Sequence, residues 1–62
     1  MLKELIKSRG IKQQWLAEQI GVTRLTISNW VNGKYIPKPE HIEKLAEILN
    51  VDKQIIIHAI SQ

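Results

Sequence analysis

Arg24, Leu25, Ser28, Asn29 and Asn32 are the residues whose types and spacing suggest chemistry. They fall at i, i+1, i+4, i+5 and i+8, so a helix would place them on one continuous stripe. The stripe is mostly uncharged and rich in hydrogen-bonding groups. A helix fits the major groove of B-form DNA, where donors, acceptors and thymine methyls distinguish the base pairs. Arg24 can fork onto guanine, Asn29 can bridge adenine, and Leu25 can touch a thymine methyl. Ser28 either joins them or hydrogen-bonds back to its own helix. A lone exposed leucine or arginine is also an ordinary surface residue. The stripe therefore gains meaning only from the elements that hold it.

Those elements read as five helices with no convincing strand. Leu2, Leu5 and Ile6 sit at helical spacing and predict a first helix over about residues 2–9, ended by Gly10. Leu16, Ala17 and Ile20 mark a second over about 12–20. Gly21 suits a left-handed helix terminus, and Thr23 can cap a third helix running to Val31 or Asn32. Gly33 breaks the pattern. Pro39 suits the first position of a fourth helix, about 39–49, whose apolar stripe is Ile42, Leu45, Ala46 and Leu49. Asp52 can cap a fifth, about 53–60. In residues 12–32, two helices joined by Gly21-Val22-Thr23 make a helix-turn-helix. Ala17 allows close approach of the third helix there, and Val22, Ile27 and Trp30 face inward to set the angle.

The chain of 62 residues is sized for a single domain, 1–62, with that motif at its centre. A fold this small buries only about 60% of the surface its unfolded chain exposes. Net charge is +3, and no acid lies between Gln19 and Pro39, a window that holds Arg24, Lys34 and Lys38. Such a basic middle suits a polyanion-facing surface as readily as an ordinary soluble one. No cysteine is present, no apolar run approaches a membrane span, and the first residues open straight into an amphipathic pattern. The cytoplasm is the expected compartment, nucleoid-associated when bound to DNA, with no membrane partner. Serine has no evident base beside it and the carboxylates sit at solvated spacings, so no enzyme and no cofactor is expected. His41 and His58 lack the further ligands a zinc site needs, so no metal is expected.

The stretch "QQWLAEQIGVTRLTISNWVNGKYIPKPE" resembles the phage Cro and repressor-type helix-turn-helix domains (Cro/C1-type, XRE-like). Gln13, Leu16, Ala17, Gly21, Val22, Thr23, Ile27, Ser28, Trp30, Gly33 and Pro37 stand where that family's pattern places such residues. The resemblance runs ungapped from Gly10 to Gly33. It implies a compact all-α, five-helix, lambda-repressor-like domain. It also implies a sequence-specific double-stranded DNA-binding transcriptional regulator, a small Cro-like repressor on an operator. By the same resemblance Gln13, Thr23, Asn32 and Lys34 contact phosphate, and Arg24, Leu25 and Asn29 meet base edges. Lys38 and Tyr35 lie near the groove edge, where Lys38 is a further phosphate candidate; Lys7 and Arg9 read as solvated.

Three departures from the family pattern bear on packing. Lys12 replaces a threonine or serine that caps the second helix. Ile6 and Val31 stand where an arginine and a glutamate often form a mostly buried ion pair. Losing one partner would strand a charge at roughly 3–5 kcal/mol, whereas replacing both can be neutral. Ile6 is therefore expected to pack on Val31.

Trp15 is expected half exposed, against the first helix or the chain terminus, or else on a partner. The run "QIIIHAI" holds Ile55, Ile56, Ile57 and Ile60, which no single helix can bury on one side. Related domains often dimerise through this last helix, so Ile56, Ile57 and Ile60 are the expected homodimer interface on a palindromic operator. The alternative is an antitoxin or other interaction module that holds a protein partner and also binds its own promoter.

Overall fold

The structure is a computed structural model that describes residues 2–61, Ser61 by its backbone alone. Its helices are α1 (Leu2–Ser8), α2 (Gln13–Ile20), α3 (Arg24–Val31), α4 (Pro39–Leu49) and α5 (Lys53–Ser61). The fold is all-α, and each helix end falls within one residue of its expected place. α2 packs on α3 and α4, α1 packs on α3 and α5, and α4 packs on α5.

Local chemistry sets the helix ends. Gly21 has φ +89°, and the Gly21 and Val22 amides both donate to the Ala17 carbonyl, at 2.8 and 3.0 Å. That left-handed turn swings the chain from α2 into α3, and a side chain there would be strained. The Thr23 hydroxyl oxygen accepts from the Thr26 amide at 3.2 Å and so caps α3. Lys12 starts α2 without a side-chain cap. Pro39 takes the first turn of α4, where its missing N–H costs nothing. Asn50, at φ 56°, ends that helix, with the Val51 amide closing onto the Ala46 carbonyl at 3.0 Å. The Asp52 carboxylate accepts from the Gln54 amide at 2.8 Å at the start of α5.

The core draws on every helix: Leu2 and Ile6, then Leu16, Ala17 and Ile20, then Ile27 and Trp30, then Leu45, Ala46 and Leu49, and finally Ile56. Trp30 anchors it and meets the His41 ring at 5.2 Å between centroids. Ile6 is buried and Val31 is half-buried against the same core, across the α1–α3 contact. Both positions are apolar, and no charged side chain is buried among the described residues. The Lys44 ammonium on α4 donates to the carbonyl of Ile20, the last residue of α2, at 3.4 Å. α2 has no basic residue in its own last turn, so α4 supplies the positive charge its C-terminus favours.

Candidate nucleic-acid interface

α3 divides into two faces. Ile27 and Trp30 point into the core. Arg24, Leu25 and Asn32 are exposed, and Ser28 and Asn29 are half-buried. Gln13, in the first turn of α2, joins Arg24, Leu25 and Ser28 around one open depression. The Gly21 turn is what brings these two helix starts together: α2 begins and α3 begins at the same edge of the domain. The sequence stripe and the expected phosphate-contacting residue therefore meet on one surface.

Hydrogen bonds order the polar members. The Asn32 amide nitrogen donates to the Ser28 hydroxyl at 3.3 Å, so Ser28 is tied to its neighbour one turn on. Thr23 is exposed, but its oxygen already caps the helix and lies 3.0 Å from the Thr26 hydroxyl. Thr26, half-buried, was not singled out by the sequence pattern; it anchors the side chain that starts α3. At the other end, Gly33 takes φ +73°, and the Lys34 and Tyr35 amides donate to the Asn29 carbonyl at 2.8 and 3.4 Å. The backbone of Asn29 thus fixes the loop that carries Lys34 and Lys38, both exposed. The whole segment from Gln19 to Pro39 contains no acidic side chain to repel a polyanion.

A family model for Helix-turn-helix domains matches residues 2–56. The chain belongs to the Cro/C1-type helix-turn-helix family. It is accordingly a helix-turn-helix DNA-binding domain, with α2 and α3 as its two motif helices. Over 56 residues it is 27% identical to the ImmF control region 10 kDa protein of Bacillus phage phi105. That similarity covers 90% of this chain and 62% of the phage protein. No solved structure matches the chain.

A second surface of this helix-turn-helix domain corrects one expectation. Ile56 is 0% exposed and belongs to the core, so it cannot form part of a surface for another molecule. Ile57 is 40% exposed and Ile60 is half-buried. With Ile36 and Ile42 they line an apolar recess between the loop after α3 and helices α4 and α5. Ile36, at 76% exposed, went unnoticed in the sequence because a lone apolar residue in a loop belongs to no periodic pattern.

Trp15 is exposed over nearly half its surface and lies beside Gly10, Ile11 and Lys12, in the turn after α1. The chain terminus, its other expected neighbour, begins with Met1, outside the described residues. Among the described residues no group of three or more His, Cys, Asp or Glu converges as a metal site. None of the described helices is long and apolar enough to cross a membrane.

Proposed function

We propose that the chain is a sequence-specific transcriptional regulator, a small Cro-like repressor that occupies an operator in double-stranded DNA. The observation that carries this reading is the shared depression of Gln13, Arg24, Leu25 and Ser28, the last three from a segment without an acidic residue. α3 lies in the major groove. Arg24, Leu25, Ser28 and Asn29 meet base edges, and Gln13, Thr23, Asn32, Lys34 and Lys38 meet phosphates. Phosphate contacts set register and affinity; base contacts set sequence choice. The protein works in the cytoplasm, and the mechanism assigns it no cofactor and no catalytic role.

Two copies bind one palindromic site, joined at the recess of Ile36, Ile42, Ile57 and Ile60. A twofold pair matches half-sites about one DNA turn apart. The exposed apolar recess also supports the antitoxin reading, in which a different protein fills it. Copurification of a stoichiometric partner that blocks self-association would favour that second reading.

Selection from randomised duplexes tests the proposal. The expected result is one enriched motif with dyad symmetry. Recovery of unrelated sequences at uniform affinity would contradict sequence-specific regulation.

A further inference from the structure

Leu25 is 70% exposed, the second residue of α3, and belongs neither to the core nor to the apolar side chains packed on it. It projects roughly 200° around the helix from the buried Ile27. A single exposed leucine is common and by itself carries no message. The surroundings of this one are unusual. Its neighbours around the depression are Gln13, Arg24 and Ser28, all hydrogen-bonding side chains. An apolar centre therefore shares the depression with donors and acceptors, on the surface assigned above to base edges.

The major groove offers such a centre one counterpart. Adenine, guanine and cytosine present nitrogen and oxygen groups and C–H positions along that edge, and thymine alone presents a methyl, on C5. Leucine against an amino group or a carbonyl would desolvate a polar atom and return no hydrogen bond. Leucine against the methyl removes apolar surface from water on both sides. The same side chain thus favours thymine and penalises the other bases.

We infer that Leu25 is a specificity-determining residue that reads a thymine C5-methyl in each half-site. The inference rests on the DNA-reading face proposed above and deepens it by naming the group recognised. Arg24 precedes Leu25 directly on the helix. One residue of helix rise is about 1.5 Å and one base-pair step about 3.4 Å. The thymine therefore lies within about one or two base pairs of the base that Arg24 contacts.

The test uses the duplex recovered by selection. Each thymine is replaced singly by deoxyuridine, which deletes the methyl and leaves every hydrogen-bonding group in place. Affinity is read by fluorescence anisotropy. One thymine per half-site is expected to respond, with about a fourfold loss, the worth of one buried methyl. 5-Bromodeoxyuridine at that position, with a substituent of similar bulk, restores the affinity. The Leu25→Ala variant, its fold checked by circular dichroism, binds the thymine and deoxyuridine duplexes equally well. Two results would overturn the inference: a duplex bound tightly with no thymine sensitive to replacement, or undiminished discrimination by Leu25→Ala. Both leave DNA reading intact. Failure of selection to recover any preferred duplex would instead remove the DNA-reading proposal and this inference together.

Discussion

Arg24 is the one charged side chain on α3, and it stands at the first position of that helix. Its guanidinium is free to approach a groove because nothing in the core claims it. Replacing it tests base reading separately from charge. Arg24→Ala should cost about 1–3 kcal/mol on the preferred site and relax preference at one base position. Arg24→Lys keeps the charge but loses the planar fork. It should retain the salt dependence and lose most of the base preference, measured by competition with single-base variants of the site. Arg24 and Leu25 were legible in the sequence because helical spacing alone puts them on one stripe. Ile56 was not. In Ile55-Ile56-Ile57 every direction around the helix is apolar, so periodicity cannot say which side chain turns inward. Packing on α1 and α4 decides it: Ile56 is buried while Ile55 and Ile57 stay exposed.

The helices are held by a few end contacts whose removal has calculable effects. Thr23→Ala removes the oxygen that accepts from the Thr26 amide. It should lower stability by about 1 kcal/mol in urea unfolding, without a change in the dependence on denaturant. Asn50 holds a left-handed conformation that alanine tolerates poorly. Asn50→Ala should cost about 1 kcal/mol in the same assay, and Asn50→Gly should not. The apolar Ile6 and Val31 positions give a sharper test. Ile6→Arg alone should destabilise by roughly 3–5 kcal/mol, and adding Val31→Glu should recover much of that loss. Helix limits and caps at Gly21, Thr23, Pro39 and Asp52 could be read ahead because each rests on one residue's own backbone or side-chain preference. The Lys44 bond to the Ile20 carbonyl could not, since it joins residues 24 positions apart that only the assembled fold brings together.

At the scale of the whole molecule, the loop after α3 carries both charge and apolar surface. The acid-free segment holds Arg24, Lys34 and Lys38, and the two lysines flank Ile36, which lines the isoleucine recess with Ile42, Ile57 and Ile60. If Lys34 and Lys38 each neutralise one phosphate in both subunits, the log affinity of a dimer should fall against log salt with a slope of about −3.6, from about −0.9 per contact. A charge placed in the recess, as in Ile57→Glu, should weaken self-association in sedimentation and reduce the slope towards that of one subunit. Ile36 and Ile42 join this recess only in three dimensions, which is why the sequence pointed to α5 alone. The central claim is that the outer face of α3 reads base edges. Amide shift mapping of the isotope-labelled protein, titrated with its selected duplex, tests that most directly. The largest changes should fall at Gln13, at Arg24, Leu25, Ser28 and Asn29, and at Lys34. Changes confined to α4 and α5, with the exposed face of α3 unperturbed at saturation, would contradict the account.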